Sequence, residues 1–574
     1  MVYLPALNNG FVWDDTYFIT DLPYLRDPAL WWQHIREPLF VSQNYFRPLP
    51  LLTFVLEAQF VPLNAFVFHL SNLLLHALNT TLVVLLANTL VAKESRANSW
   101  RPVVAGLLFG LHPVLIETVS WISDRFDLMM ATFLLLALLS DVTIQSRRIR
   151  ATTVGTLFLL ALLCKETAIV FCALLPLWQL SRRANDSTPW HDSTPWRARA
   201  ENLLREEWPS VIALGLAALI YFTLRYQSLG VLYRTDTMIV PGSLLQHWLL
   251  TAKTLAWYFV LLVCPFGQIG PVHPGDTPIL IADPYAWLGV AAVTVVALFL
   301  ITLLRRTPRG GLLASMAMVA LVPVANLVPL TIADNIVHDR YLLLPLVFVT
   351  LTMASLPDAR QRLTTKFALA SWCALALVSI VLTVPRWENN LTLWGWAYAL
   401  EPSSRIARGN YVAALANENH NQEVIALCGD ILREKPDNAV AMHDMALALM
   451  RTGRYAESRR YSLMSIQYLD RFDAKGKLDL SEAWNLLGYL DMQDRNWDAA
   501  EKSLNEAVRL TPYLTRPHFN LAMVHYERRE INAADQELAF ALRYDSPELA
   551  VIHRAQGERK KNEVLKRARS TTGA

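Results

Sequence analysis

The chain has 574 residues, of which 53% are hydrophobic and only 18% charged, and its mean hydropathy is +0.27. Soluble domains carry charge on about a quarter of their residues, so a wholly soluble enzyme is excluded, and a net charge of +3 gives no reason to expect a nucleic-acid partner. The five cysteines show neither CxxC nor zinc-ligand spacing, so nothing supports a disulfide framework or a structural metal.

In chain order, Gly10-Phe11-Val12-Trp13-Asp14-Asp15 comes first and places two carboxylates side by side. Met1 to Leu7 is too short for a signal peptide or a span. The loop it opens is exported either by an upstream helix lost to a late start codon, which is the expectation, or by the helix that follows. Apolar segments long enough to cross a membrane occur near 65–92, 102–120, 126–144, 208–225, 285–305, 312–330, 340–356 and 366–384. The run 151–181 is broken by Lys165-Glu166 and reads as two short helices meeting in a turn. Segment 244–264 carries Lys253 near its middle, where a charge costs about 2.5–3.5 kcal/mol, so it is expected not to cross. That leaves about ten spans, or eleven with the upstream helix.

Basic clusters set the sides. Lys93/Arg96/Arg101, Arg147/Arg148/Arg150, Arg182/Arg183 through Arg199/Arg205, Arg305/Arg306/Arg309 and Arg360/Arg362/Lys366 mark five cytoplasmic loops. Alternation then puts 1–64, 112–127, the Lys165-Glu166 turn, 226–284, 329–340 and everything after 385 outside. The near-duplicate hexapeptides at 185–190 and 191–196 sit in a cytoplasmic linker and carry no chemistry.

The segment after 385 reads as soluble. Trp484-Asn-Leu-Leu-Gly-Tyr489, Ala500 and Pro512 fit the tetratricopeptide pattern, with copies at His518–Ala522 and Met445–Tyr455 and a weaker one over 403–436. About four helix pairs are expected to stack as a solenoid whose groove takes a protein partner. The domains expected are a first loop, 1–64; a membrane domain, 65–384; a repeat domain, 385–560; and a basic tail, 561–574. The fold class is all-α, a polytopic helical bundle followed by an α-solenoid.

Ionisable groups at membrane depth are costly and point to function. Those assigned outside are Asp14, Asp15, Arg47, His112, Glu117, Asp124, Arg125, Asp127, Lys165, Glu166, His338, Asp339 and Arg340, with Tyr45 beside them. Both signs are present, which suits a reaction that handles an anionic donor and deprotonates an acceptor. His69, Asn72, His76 and Asn79, spaced by three and four, share one helix face. Lacking a carboxylate, that face is expected to be a satisfied polar seam rather than a metal site. Glu117, Trp121 and Arg125, spaced by four, share another face, readable as a working loop or as an interhelical salt-bridge network.

Phe11-Val12-Trp13-Asp14-Asp15, Tyr45-Phe46-Arg47-Pro48-Leu49, Asn72-Leu-Leu-Leu-His76, His112-Pro113 through Asp127, Lys165-Glu166 and Arg340-Tyr341-Leu342 follow in that order. Together with the repeat tail, this series resembles the transmembrane and tetratricopeptide-repeat O-mannosyltransferases and, more broadly, is similar to the GT-C glycosyltransferases. It departs from them in lacking the first helix and in its short repeat array, which suggests a bacterial relative. The resemblance implies a polyprenyl-phosphate sugar donor, a protein or envelope-glycan acceptor, and a site on the periplasmic face of an inner membrane. It also implies an inverting transfer with Asp14 or Asp15 as acid/base. Arg340, Arg125, Lys165 and Arg47, in that order, would hold the donor phosphate, supported by His112, Glu117, Asp127, Glu166, His338 and Asp339. No metal or other cofactor is expected. The competing reading is a non-enzymatic membrane scaffold that recruits envelope-assembly proteins through its repeats; a transporter would need an internal pseudo-repeat of helices, and none is apparent.

Overall fold

The computed structural model describes residues 2–20, 25, 30–31, 45–61, 63–91, 99–184, 196–232, 242–275, 278–327, 335–356, 363–469, 474–545 and 547–572. The hexapeptide repeat up to 195, Lys93, Arg96, Arg360, Arg362 and the stretch 470–473 lie outside the described residues. Among the described residues every element is helical, and the one sheet-like contact is an isolated antiparallel bridge between Pro274 and Asn335. Two compact units form. One holds the described residues of 1–16 and 45–407, the other those of 17–31 and 408–572. The division thus falls at 407/408 rather than at 384/385.

The first unit runs through α1 (Pro48–Phe60), α2 (Ala65–Leu90), α3 (Arg101–Gly110), α4 (Ile116–Ser120), α5 (Arg125–Thr143), α6 (Arg147–Cys164), α7 (Phe171–Arg183) and α8 (Trp196–Leu229). It continues with α9 (Leu244–Val263), α10 (Pro284–Arg306), α11 (Pro308–Leu321), α12 (Leu343–Ser355), α13 (Leu363–Thr383) and α14 (Asn390–Leu400). Among the described residues five helices are long and apolar enough to cross a membrane: Ala65–Leu90, Ile122–Thr143, Glu201–Leu229, Pro284–Arg306 and Lys366–Trp387. The pair Arg101–Gly110 and Pro113–Ser120, bent by 49°, makes a sixth if taken as one span. Other apolar segments form shorter or more charged helices. α7, α11 and α12 are helices of 13, 14 and 13 residues, about 20 Å long against a hydrocarbon core of about 30 Å. α6 has 18 residues but opens with Arg147, Arg148 and Arg150.

The polar seam of α2 has a structural explanation. The chain between α3 and α5 breaks several times, and each break leaves backbone carbonyls without a helical partner. Asn72 Nδ2 donates to the carbonyls of Trp121 (3.1 Å) and Ile122 (3.2 Å), and Asn79 Nδ2 to that of Leu128 (3.0 Å). His76 Nε2 lies 3.1 Å from the Gly110 carbonyl, and His69 Nε2 lies 3.3 Å from that of Gly10. The seam therefore holds irregular backbone in an apolar setting, where unsatisfied groups cost several kcal/mol each. Gly106 lets α3 approach α2 closely, because a Cβ there would run into the Val84 side chain.

Lys253, midway along α9, has a carboxylate partner: its Nζ lies 2.7 Å from Asp283 Oδ2. Asp283 also caps α10, its Oδ1 accepting the Tyr285 N–H at 2.8 Å. The midpoint of α9 therefore sits beside the first turn of α10. At the far ends of α5–α8, Asp141 accepts from Gln179 Nε2 (2.8 Å) and Arg182 Nη1 (2.7 Å), while Arg150 grips Glu207 through both carboxylate oxygens. These pairs tie together the ends opposite those that carry Arg125 and Lys165.

The second unit is built of helix pairs: α15 (Arg405–Asn417) with α16 (Asn421–Glu434), α17 (Ala439–Arg451) with α18 (Tyr455–Tyr468), α19 (Ala474–Gln493) with α20 (Trp497–Leu510), and α21 (Thr515–Glu527) with α22 (Ile531–Tyr544). Each pair turns through one left-handed residue: Asn419, Gly453, Arg495 and Arg529, spaced by 34, 42 and 34 residues. That spacing is the repeat period, with eight extra residues between Gly453 and Arg495. Small buried residues, including Ala446, Ser458, Ala500, Ala522 and Ala534, allow the close crossings. The expected basic tail at 561–574 is not separate from the array. α23 (Pro547–Thr572) continues through it, and Val564 packs with Ala522, Tyr526 and Leu538.

Candidate functional site

The acidic loop is fastened at several points. Asn9 Nδ2 donates to the Val384 carbonyl at 3.2 Å, and the Gly10 N–H to that of Glu388 at 2.8 Å. Trp13 takes a left-handed φ of 55°, a conformation that costs a bulky residue about 1–3 kcal/mol. Its indole stacks on Trp121 at 4.6 Å and 15°, and it meets Trp394 edge-on at 5.2 Å.

The two aspartates differ sharply. Asp15 is fully buried. Its Oδ2 accepts the Val12 N–H at 3.0 Å, and its Oδ1 accepts both the N–H (2.8 Å) and the hydroxyl (2.5 Å) of Ser123. Burial pushes its pKa up to about 7, against the downward pull of the Ser123 and Val12 hydrogen bonds and with a push from the Asp14 charge. Both oxygens are occupied in tying the loop to the turn before α5. Asp14 is half-buried.

Four of the cations are paired with carboxylates. Arg340 Nη1 lies 2.5 Å from Glu117 Oε1, and the Arg340 backbone N–H donates to Glu117 Oε2 at 3.0 Å. Lys165 Nζ lies 2.5 Å from Asp127 Oδ2. Arg47 meets Glu166 through two bonds, of 3.0 and 2.7 Å, with its guanidinium 4.5 Å from the Tyr45 ring. Arg125 corrects an expectation. It donates to Asn72 Oδ1, Thr53 Oγ1, Glu57 Oε1 and the Phe68 carbonyl at 2.8–3.0 Å, and it is almost fully buried. With its donors committed to α1 and α2, it serves as a strut of the bundle and is a poor candidate for a phosphate.

Around Arg340 the polar chemistry is dense. The guanidinium lies 5.2 Å from the Trp121 ring, 5.8 Å from that of Trp13 and 5.0 Å from that of Tyr341. Its Nη1 is 3.2 Å from His338 Nδ1. Burial and the Arg340 charge hold His338 well below its ordinary pKa, so the ring is neutral. Because a guanidinium only donates, Nδ1 accepts and the ring proton sits on Nε2. His338 Nε2, Trp121 Nε1 and Asp124 Oδ2 are buried and have no hydrogen-bond partner among the described residues. Arg340 also lines a small cavity together with Asp127, Thr167 and Tyr341, with apolar walls from Met130, Val170, Ala320 and Leu343. Asp14 and Asp15 are not among its walls.

Asp339 faces the other way. It accepts the Gly270 N–H at 3.0 Å and sits 2.7 Å from His273 Nε2. Burial works against charge on His273, but Asp339, by charge and hydrogen bond, with Glu117 and Glu401 behind it, raises its pKa. His112 is also structural: its Nδ1 accepts the Val114 N–H at 3.3 Å, and its Nε2 lies 3.2 Å from the Leu262 carbonyl. Sequence reasoning passed over Ser123, His273 and Asn390. His273 was detectable, as an ionisable residue in a loop assigned to the outside; the other two gave no signal. Among the described residues no group of three or more His, Cys, Asp or Glu side chains is arranged to hold a metal ion.

No family model matches the chain. Among curated proteins it is similar to the Protein O-mannosyl-transferase TMTC1 of Homo sapiens, 31% identical over 213 residues, which are 33% of this chain and 24% of the relative. It is 33% identical over 203 residues to the Protein O-mannosyl-transferase Tmtc2 of Drosophila melanogaster, covering 32% and 21% of the two chains. It is 29% identical over 192 residues to the human Protein O-mannosyl-transferase TMTC3, covering 31% and 20%. The chain is thus homologous to these O-mannosyltransferases over about a third of its length, and it spans about a quarter or less of theirs. The crystal structure of the yeast Tom70 overlaps 83% of this chain and 94% of its own, with a TM-score of 0.27 and 11% identity, a likeness too low to carry an argument.

Proposed function

We propose that this chain is a membrane glycosyltransferase that moves a sugar from a polyprenyl-phosphate donor to a protein hydroxyl or envelope glycan, on the extracytoplasmic face of a bundle of ten or eleven spans. The observation that carries this reading is the surroundings of Arg340. A buried guanidinium there has two orphaned N–H donors in its surroundings, His338 Nε2 and Trp121 Nε1, and itself lines a cavity with Asp127, Thr167 and Tyr341. A buried donor without an acceptor costs about 1–3 kcal/mol. A phosphate oxygen or sugar hydroxyl removes that cost. The homology to O-mannosyltransferases supports the same chemistry.

In this mechanism Arg340 and Lys165 hold the donor phosphate, and Asp14 is the base. The Asp14 carboxylate takes the proton from the acceptor hydroxyl. The acceptor oxygen attacks the anomeric carbon from the face opposite the phosphate, and the C1–O bond to the phosphate breaks with inversion, leaving polyprenyl phosphate. Fixed positive charge stabilises that leaving group. Asp15 holds the loop and takes no proton from the acceptor. The test is transfer from polyprenyl-phosphate mannose, and from the glucose analogue, by the full chain in lipid nanodiscs with a serine- and threonine-rich peptide acceptor. Asp14→Asn is expected to slow transfer by roughly 10²–10⁴-fold with its melting temperature unchanged, whereas Asp15→Asn lowers both. Wild-type transfer by Asp14→Asn would remove Asp14 from the chemistry.

A further inference from the structure

The sequence assigns everything after 385 to the repeat domain, yet α14 and the turn before it are part of the first unit and touch the acidic loop directly. The Val384 and Glu388 carbonyls accept from Asn9 and Gly10. Asn390 Oδ1 accepts the Trp13 N–H at 2.8 Å. Trp394, itself buried, sets its ring edge-on to the Trp13 indole at 5.2 Å and 84°.

Trp13 is the residue that most needs holding. Its φ of 55° lies where bulky side chains rarely go, and its neighbour in the chain is Asp14. An ordinary φ at this position would swing the following peptide and re-aim the Asp14 carboxylate. The left-handed conformation turns the Trp13 N–H toward α14, where a backbone N–H can be met only by an acceptor. Asn390 supplies it. Asn390 in turn is set by the start of α14, where Asn389 caps the helix by accepting the Thr392 N–H at 2.9 Å. Trp121 and Trp394 contact the Trp13 ring face-on and edge-on respectively.

We infer that Asn390 is a positioning residue of the transferase, fixing through Trp13 the direction in which Asp14 points, and that the segment joining the last membrane helix to the repeats is thereby part of the active-site framework. This inference rests on the transferase reading above. A positioning role differs from a merely structural one in what it changes: turnover falls, while donor affinity holds and global stability loses no more than one hydrogen bond.

The test uses the full chain in nanodiscs with polyprenyl-phosphate mannose and the peptide acceptor. Asn390→Leu has nearly the same size but no acceptor. It is expected to lower kcat by roughly 100-fold, the scale of an ångström-sized misplacement, with the donor KM unchanged and the melting temperature lowered by no more than the loss of one hydrogen bond. Asn390→Asp keeps an oxygen for the Trp13 N–H and is expected to recover most of the rate. Should Asn390→Leu be recovered unfolded, Asn390→Ser, whose hydroxyl is too short to reach Trp13, carries the same expectation. Wild-type kcat in the variant lacking the acceptor, or an Asn390→Asp protein as slow as it, overturns the inference. An inactive wild-type chain instead overturns the transferase reading.

Discussion

The Glu117–Arg340 pair separates a structural ion pair from a substrate-binding one, because the two roles respond differently to removal of one partner and of both. The side chains are 2% and 9% exposed, and Glu117 accepts from both the guanidinium and the backbone N–H of Arg340. Glu117→Leu leaves a buried guanidinium without its counter-charge, at about 3–5 kcal/mol, and orphans the backbone N–H, for about 1 kcal/mol more. Arg340→Met leaves the Glu117 carboxylate stranded at a similar cost. The double variant Glu117→Leu/Arg340→Met removes both charges, and buried pairs replaced by apolar groups of like volume are commonly near neutral. It should melt within about 1–2 kcal/mol of wild type, the residual loss coming from the orphaned N–H. Thermal melts of the four proteins in detergent complete the cycle, and these figures give an expected coupling of about 5–10 kcal/mol. Transfer assays on the stable double variant then isolate function: it should be folded but inactive, with donor binding weakened. A double variant that is stable and fully active would make the pair structural and refute the donor-phosphate role of Arg340. A Glu117→Leu protein as stable as wild type would refute the energetic reasoning itself.

Two further outcomes follow from the packing. Burial raises the Asp15 pKa from 3.8 to about 7, so between those values the folded protein keeps a proton that the unfolded chain has released. Stability from this group therefore falls as pH rises from about 4 to about 7; melting curves of wild type should slope down across that window relative to Asp15→Asn, and parallel curves would sink the assignment. Gly106→Ala puts a methyl group into the Val84 side chain and should cost about 1–3 kcal/mol by overpacking. Val84→Ala in the same protein should recover most of that melting temperature, and no recovery would mean the two helices do not meet there.

Much of the molecule was legible in the sequence because it depends on local period. The helix pairs of the second unit follow from small residues at fixed spacing, and the left-handed turn residues at Asn419, Gly453, Arg495 and Arg529 fall where that period puts them. Long apolar runs gave the helices of the first unit. Hydropathy does not reveal where a run such as 308–324 ends its α-helix in a turn. The charged residues that gather near the acidic loop were also legible, because ionisable groups in apolar surroundings are too costly to be incidental.

Amino-acid order alone therefore determined that this is an all-helical chain with membrane-length apolar helices, a repeat array and a set of misplaced charges that included Asp14, Asp15 and Arg340. Tertiary structure decided the surroundings of each charge. Asp14 and Asp15 are adjacent in sequence and alike in chemistry, yet one has both oxygens tied to Val12 and Ser123 while the other is half-buried beside a strained tryptophan. Arg340 and Arg125 stood first and second among the expected phosphate ligands, yet Arg125 braces α1 and α2 while Arg340 lies among orphaned donors. Much of the difference lies in partners that are 53 to 377 residues away along the chain, alongside near neighbours such as Val12 and His338. Spacing along one helix governs which side chains share a face, whereas the role of a charge depends on desolvation and on which donors and acceptors the folded chain brings within about 3 Å of it.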